Sequence, residues 1–258
     1  MLLKSVCLAV CGTALLACSN VAGAAEVNVA ATAGFASAYR ILGPEFEKTT
    51  GNTLKTVWGP SMGDTPNTIP HRLERGEDID IVIMVGNALD KLVRESKIEP
   101  ASTVVLASSK VALAVRADAP LPDISTVEAL KQTLLNASSI AYSDIASGTY
   151  VSNVMIPKLG LAEALKDKIH MIPAEPVGNV VARGEEEMGF QQLSELKPIQ
   201  GIQVVGLIPE EVQLVTLFSA GIVKGAKNPE GAQALLKFLS SPQHAGTIDA
   251  TGLEAANR

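Results

Sequence analysis

Cysteine is nearly absent from the chain, and the few cysteines are confined to one end. All three, Cys7, Cys11 and Cys18, fall within the first 24 of the 258 residues. The remainder therefore has no thiol for a disulfide, a thiolate metal site or a cysteine nucleophile. Metal-ligand spacing, a nucleophile elbow and a phosphate-binding loop are also missing from the sequence, so we expect no metal and no cofactor.

Aromatic residues, positive charge and long apolar runs are scarce as well. Phe, Trp and Tyr make up 3% of the chain, which argues against a site that stacks sugars or bases. The formal net charge is −6. It becomes more negative without the first 24 residues, which contain Lys4 and no acid. A nucleic-acid-binding surface needs the opposite sign. No later stretch is long and uncharged enough to span a membrane.

The first 24 residues have the pattern of a secretory signal peptide. Lys4 supplies the positive start, an apolar segment follows, and the small residues at 22–24 form an A-x-A cleavage site. The stretch "LLACS" at 15–19 also resembles a lipoprotein box, in which Cys18 would carry the lipid. We favour the cleaved signal because Leu16 fits that box poorly. Membrane attachment would follow only from lipidation of Cys18, and both interpretations predict a periplasmic protein.

Strand and helix patterns alternate along the rest of the chain. The continuous apolar run at 78–86 is typical of a strand buried on both faces of a parallel sheet. Repeated βαβ units predict mostly parallel sheets flanked by helices. Two strands at 103–116 lack a helix between them, which suits a chain that crosses between lobes. We therefore predict a two-lobed α/β fold around a hinged cleft, with lobe 1 at 25–107 plus 213–258 and lobe 2 at 108–212.

Four strand-to-helix loops are rich in small hydroxyl residues and glycine. Ligands of open α/β sheets bind at this end of the strands. Helix N-termini there offer free N–H groups and partial positive charge, so they can hold an anion without a cation. One such loop is usually an ordinary helix cap, but four together predict an anion site. Its predicted residues are Thr32, Gly34, Ser61, Met62, Gly63, Thr65, Ser143, Ser147, Gly148, Thr149 and Gly178.

Several stretches resemble the periplasmic molybdate-binding protein family of ABC transporters. They are "VNVAATAGFASAYRILGPEFEKTTG", "SMGDTPNTIPHRLERGEDIDIVIMVGNALDKL", "SDIASGTYVSNVMIPKLGL", "VVARGEEEMGFQQLSEL" and "ALLKFLSSPQHAGTIDATGLE". The resemblance implies two lobes that close around a ligand by hinge motion, and an ABC permease as a partner. It also implies oxyanion-binding positions near Thr32, Ser61, Ser147 and Val177.

Two departures from that family argue against molybdate as the ligand. The family's first ligand serine is replaced by "TAG" at 32–34, and its ligand tyrosine by a segment that starts with Gln191 and Gln192. The second loop adds Arg72 beside His71. Amides and an arginine suit carboxylates. We therefore expect the ligand to be a small di- or tricarboxylate. We also expect the protein to be a monomer.

The chain also resembles the bacterial aconitate isomerases, which are themselves similar to this binding-protein family. That resemblance implies a 1,3-allylic proton shift, which needs a general base and donors for an enolate-like charge. His71 and Tyr150 are the candidate bases, with Glu175 behind them. A surface-loop role for the histidine and a packing role for the tyrosine are the simpler interpretations. The sequence slightly favours a binding protein over the isomerase, and a molybdate transport component comes third.

Overall fold

The computed structural model of the chain describes residues 25–257. The predicted signal peptide and Cys18 lie outside the described residues. Within 25–257, no helix has the length and apolar character needed to cross a membrane.

Ten strands and eleven α-helices make up most of this part of the chain. The strands are β1 (Glu26–Ala31), β2 (Thr53–Trp58), β3 (Ile81–Val85), β4 (Val104–Arg116), β5 (Ile140–Ser143), β6 (Ile169–Ile172), β7 (Met188–Gln192), β8 (Ile202–Leu207), β9 (Val215–Ile222) and β10 (Glu254–Ala255). The helices are α1 (Ala36–Thr50), α2 (Ile69–Glu74), α3 (Gly86–Arg94), α4 (Val127–Asn136), α5 (Ala146–Tyr150), α6 (Ile156–Lys158), α7 (Ala162–Leu165), α8 (Val177–Ala182), α9 (Leu193–Leu196), α10 (Pro229–Leu239) and α11 (Ala245–Ala250). Short 3₁₀ segments lie at Ala33–Phe35, Pro100–Ser102, Glu210–Val212 and Pro242–His244, and a π-helical segment lies at Val151–Met155.

The strands follow the order β2-β1-β3-β9-β4-β7-β5-β6, with β8 and β10 also paired to β4. Strand β1 is parallel to β2 and β3, and β5 is parallel to β6 and β7. Around β4 the pairings with β7, β8 and β9 are antiparallel. The predicted parallel sheets therefore form the outer part of each lobe. The centre is antiparallel because β4 and β9 run between the lobes in opposite directions.

The segment that crosses between the lobes is one strand, not the two that the pattern predicts. Strand β4 runs unbroken from Val104 to Arg116. Its first half contributes Ala107 to a core of residues from 27–107 and 218–255. Its second half contributes Val111 and Leu113 to a separate core of residues from 111–212. This agrees with two lobes, and the exact lobe boundaries stay a prediction.

Local signals place several helices correctly. Ser125 and Thr126 are the two N-cap candidates that the sequence predicts for α4, and Thr126 caps it by accepting from the Ala129 N–H at 3.1 Å. The sequence also predicts an N-cap at Asn228 followed by a first-turn proline, and Asn228 does cap α10, whose first residue is Pro229. For α1 the sequence predicts an interruption or an end near Gly43 and Pro44, but the helix continues through them to Thr50. The buried side chains on both sides of the proline hold the helix against the first core.

Candidate functional site

The loops after β1 and β2 are both tied to the end of β3. The Thr32 N–H donates to the Ile83 carbonyl at 2.9 Å. The Ser61 Oγ accepts from the Val85 N–H at 3.0 Å. Both Thr32 and Ser61 are buried. Thr32 and Ser61, two of the predicted anion-binding residues of lobe 1, are therefore anchored at one strand end, and the Ser61 hydroxyl already has a structural hydrogen bond.

The other predicted residues of these loops fall into two groups. Met62 and Thr65 are exposed, and Gly63 has a φ of 107°, a left-handed conformation that favours glycine. Gly34 is buried, and a Cβ there would lie 2.2 Å from the Phe218 ring. Gly34 is therefore required for close packing, whereas residues 62–65 form an exposed rim.

Arg72 is held within its own loop. Its Nη1 donates to Glu77 Oε2 at 2.7 Å, and its Nε donates to the Asn67 carbonyl at 3.1 Å. Hydrogen bonds from Arg75 and Arg72 hold the pKa of Glu77 below its ordinary value. The guanidinium of Arg72 therefore has an ion pair already, and a ligand would have to compete for it.

The two predicted bases have different surroundings. The His71 Nδ1 lies 3.0 Å from the Thr65 carbonyl, and its Nε2 lies 3.9 Å from Glu74 Oε2. The Tyr150 hydroxyl donates to the Val212 carbonyl at 2.8 Å, and burial raises the pKa of this phenol. The Nε2 of His71 lies beyond hydrogen-bond distance of Glu74, so this ring nitrogen is not held by that carboxylate. Tyr150 is the weaker base candidate, because its hydroxyl proton is already donated to the Val212 carbonyl.

In lobe 2, the loop after β5 brings two buried hydroxyls together. Ser143 and Ser147 are both buried, with their Oγ atoms 3.3 Å apart. A Cβ on Gly148 would lie 1.7 Å from the Ser143 carbonyl oxygen, so only glycine fits this turn. Thr149 is exposed. The arrangement places two rotatable donors at the carboxyl end of β5.

At the start of α8, the backbone N–H of Val177 is already hydrogen-bonded to a side chain. The family resemblance implies that an oxyanion binds at this position. The Val177 N–H donates to Gln191 Oε1 at 2.9 Å, and both residues are buried. A Cβ on Gly178 would lie 3.0 Å from Ile199 and Ile202 side-chain atoms, so this glycine serves close packing. An anion that binds at Val177 must therefore share or displace the Gln191 amide.

Glu195 is a buried carboxyl beside this amide. The residue as a whole is half-buried, whereas its Oε2 is shielded from solvent and has no hydrogen-bond partner among residues 25–257. Burial raises the pKa of Glu195 to about 7, against opposing hydrogen bonds with the Gln191 side chain and the Gln192 backbone. Glu195 therefore changes charge near neutral pH.

Helix α9 also joins the two lobes. The Ser194 Oγ donates to the Gly34 carbonyl at 3.0 Å. In return, the Ser37 Oγ donates to the Ser194 carbonyl at 2.9 Å. These two bonds join the start of α1 to α9. The predicted donors of lobe 1 and of lobe 2 therefore lie on the two sides of this contact.

The sequence matches the family described as bacterial extracellular solute-binding protein over residues 27–254. The chain belongs to this family. Aconitate isomerase from a Pseudomonas species is 48% identical over 246 residues, which cover 94% of each chain. The molybdate-binding protein ModA of Azotobacter vinelandii is 29% identical, over 93% of this chain and 94% of that protein.

A solved structure carries the same fold. The periplasmic molybdate-binding protein of Azotobacter vinelandii superposes on this solute-binding protein with a TM-score of 0.72 at 20% identity. The match covers 88% of this chain and 98% of that one. The two-lobed binding-protein fold predicted from the sequence is thus confirmed.

The prediction from sequence omitted some polar groups that this solute-binding protein buries near its cleft. Glu195 lies three residues after Gln192, which directly precedes α9. This is the spacing of a capping box, and it could have identified Glu195 from the sequence. Ser109 lies on the buried face of β4 between Ala107 and Val111, and Thr216 pairs with it in register. Glu175, the reserve base, is 3.0 Å from Arg183 in an ion pair. Within 25–257, no cluster of His, Asp, Glu or Cys is arranged to hold a metal.

Proposed function

We propose that this protein is an aconitate isomerase that uses the cleft of a solute-binding fold as its active site. The observation that carries the proposal is the 48% identity to the Pseudomonas aconitate isomerase over 94% of each chain. Identity to the molybdate-binding relative is only 29% over a similar length. The isomerase, which the sequence alone ranks second, therefore becomes the leading function.

The chemistry of the buried donors supports a carboxylate ligand. Gln191 and Gln192 stand where the molybdate-binding family is expected to use a tyrosine, and both are buried. Ser143 and Ser147 add hydroxyl donors on the neighbouring loop. Neutral donors in a site shielded from water stabilise carboxylates and a developing enolate-like charge more strongly than they would in water.

The reaction itself needs no oxidant and no net change in protons. A base removes a proton from the methylene carbon next to the double bond, and the electron pair shifts into an enolate-like allyl system. A proton is then returned to the carbon at the other end, which moves the double bond by one position. The protein must supply one base and donors for the carboxylate that accepts the negative charge.

We assign the base to His71, whose Nε2 lies 3.9 Å from the nearest carboxylate oxygen of Glu74. Replacing it in His71→Gln should lower kcat by about 100-fold, since general-base catalysis contributes on this scale. The Kd for trans-aconitate should change little. Stopped assays for kcat and calorimetry for Kd measure the two separately. Loss of turnover in Tyr150→Phe but not in His71→Gln would move the assignment to Tyr150.

The first experiment is an activity assay. The purified protein is incubated with cis-aconitate, and trans-aconitate is followed by chromatography, with thermal shifts for molybdate and trans-aconitate measured alongside. We expect trans-aconitate to form. A thermal shift with aconitate but no turnover would leave a carboxylate-binding protein. A shift with molybdate alone would overturn the carboxylate assignment.

A carboxylate-binding transport protein is the second candidate function. The observation that favours it is membership of the solute-binding family, together with ModA as a relative. In that case the partner would be an ABC permease. For both functions we propose a periplasmic location, supported by the family's extracellular description and the signal-like first 24 residues.

A further inference from the structure

Three polar side chains meet where the strands cross between the lobes. Ser109 of β4 and Thr216 of β9 are directly paired, and Gln192 of β7 is opposite Val111, two residues further along β4. Paired residues and residues two apart project from the same face of a sheet. Accordingly, the Gln192 Nε2 donates to the Thr216 Oγ1 at 2.9 Å. We call Ser109, Gln192 and Thr216 the crossover triad.

The crossover triad is buried yet incompletely hydrogen-bonded. Ser109 is 1% exposed, Gln192 3% and Thr216 6%. Neither the Ser109 Oγ nor the Gln192 Oε1 has a hydrogen-bond partner in the described part of the chain. Buried polar atoms in folded proteins are almost always paired with protein, water or ligand. Two such atoms in one small cluster indicate that water or a ligand supplies the missing hydrogen bonds.

The surroundings of the crossover triad place it between the two hydrophobic cores. Along β9, Phe218 belongs to the first core, and along β7, Phe190 belongs to the second. On β4, Ala107 and Val111 flank Ser109 and also belong to the first and second core, respectively. The triad is therefore a polar interruption between the two cores, where the lobes are connected.

The two consecutive glutamines connect the crossover triad to the predicted anion site. Side chains alternate between the faces of a strand. Gln191 accordingly bonds the Val177 N–H at the start of α8, whereas Gln192 bonds Thr216 on the crossover strand. A ligand long enough to span both places would carry polar groups at two ends, as a tricarboxylate does and a small tetrahedral oxyanion does not.

We propose that the crossover triad is a subsite for one carboxylate of a tricarboxylate ligand. The proposal rests on the proposed function and adds a specificity determinant to it. The Thr216 hydroxyl can donate as well as accept. The Gln192 amide can therefore turn end for end and keep its bond to Thr216. In the turned orientation its Nε2 and the Ser109 hydroxyl present two donors to a carboxylate.

The test compares ligands that differ by one carboxylate. Binding of trans-aconitate, glutaconate, itaconate and mesaconate is measured by calorimetry for the wild-type protein, Ser109→Ala and Thr216→Val. Glutaconate lacks the central carboxylate of aconitate, itaconate lacks the terminal carboxylate on the double bond, and mesaconate lacks the terminal carboxylate on the methylene carbon. Ser109→Ala removes a donor to the carboxylate, and Thr216→Val removes the hydroxyl that holds the Gln192 donor in place. Each substitution should therefore weaken aconitate binding about ten-fold, the scale of one hydrogen bond to a charged group. The loss should disappear for the one dicarboxylate that lacks the carboxylate bound by the triad.

Ser108→Ala is the matched control. Ser108 is the next residue on β4 and faces the opposite side, where its Oγ lies 3.5 Å from Glu254 Oε2. This variant should bind all four acids like the wild type. Ser109→Ala removes only one oxygen atom, so it keeps the test usable if Thr216→Val does not fold.

Two results would overturn the proposal alone: unchanged aconitate affinity in both triad variants, or equal losses for aconitate and all three dicarboxylates. The triad would then be a purely structural cluster. If the wild type binds none of the acids, this proposal and the proposed function both fail. If the wild type converts cis-aconitate and both triad variants bind the acids as the wild type does, the proposed function stands. The subsite proposal is then wrong.

Discussion

At the residue scale, Glu195 shows how a buried carboxyl links stability to pH. Its pKa in the folded protein is raised by burial from the ordinary 4.5 to about 7. The folded protein therefore binds this proton more tightly than the unfolded chain does. The resulting stabilisation is complete below pH ~4.5 and is lost as the pH rises through about 7.

Glu195→Gln should remove this pH dependence. The amide has the size of the protonated carboxyl and no charge to bury. The variant should match the wild type near pH 4.5 and be more stable at pH 8, by up to about 3 kcal/mol, because one pKa unit corresponds to ~1.4 kcal/mol. Urea unfolding at a series of pH values measures the difference. Glu45→Gln, at an exposed position on α1, is the control and should follow the wild-type curve at every pH.

Ser147 carries the sharpest binding prediction among the loop residues. Its hydroxyl is buried and lies 3.3 Å from that of Ser143. Ser147→Ala should weaken trans-aconitate binding by about 1–3 kcal/mol, because a buried anion would lose a donor. Calorimetry gives the affinity, and circular dichroism checks the fold. Ser152→Ala is the control, because the Ser152 Oγ donates to the Thr149 carbonyl at 3.4 Å and the residue lies outside the predicted site. It should bind like the wild type. An unchanged affinity for Ser147→Ala would remove this loop from the site.

At the element scale, the sequence was informative where local chemistry decides the structure. The cap at Asn228 and the strand-to-helix loops follow from short patterns, and the structure has them as predicted. The bond from Ser194 to the Gly34 carbonyl joins residues 160 positions apart, and no local pattern encodes it. The course of α1 through Pro44 is likewise set by packing against the core and not by helix propensity.

The turn between β5 and α5 provides a test at this scale. A Cβ on Gly148 would lie 1.7 Å from the Ser143 carbonyl oxygen, and the backbone cannot move without opening the turn. Gly148→Ala should therefore lower the free energy of unfolding by about 3 kcal/mol or more. Gly246→Ala is the matched control, because open space surrounds that helical glycine. It should be neutral or stabilise by up to ~1 kcal/mol. Equal stability of the two variants in urea would contradict the packing argument.

At the scale of the whole molecule, the pattern of the sequence predicts two lobes but not how they meet. Two separate cores follow from alternating apolar strands and helices, because each run has a fixed face to bury. The junction depends on side chains distant in sequence, among them the pair formed by Gln192 and Thr216. For the same reason the sequence predicts the loop donors and Gln192, but not Ser109 or Thr216 of the crossover triad.

A ligand bound between the lobes should stabilise them together. Each lobe contributes predicted donors, and reciprocal hydrogen bonds between Ser37, Ser194 and Gly34 join the lobes in the absence of ligand. Trans-aconitate at 100 times its Kd should add about 2.7 kcal/mol to the free energy of unfolding. For a chain of this size that corresponds to a rise in Tm of roughly 5–10 °C. Scanning calorimetry should show one transition that moves as a whole. A scan in which only part of the heat absorption shifts would mean that the acid contacts one lobe and not the cleft between them.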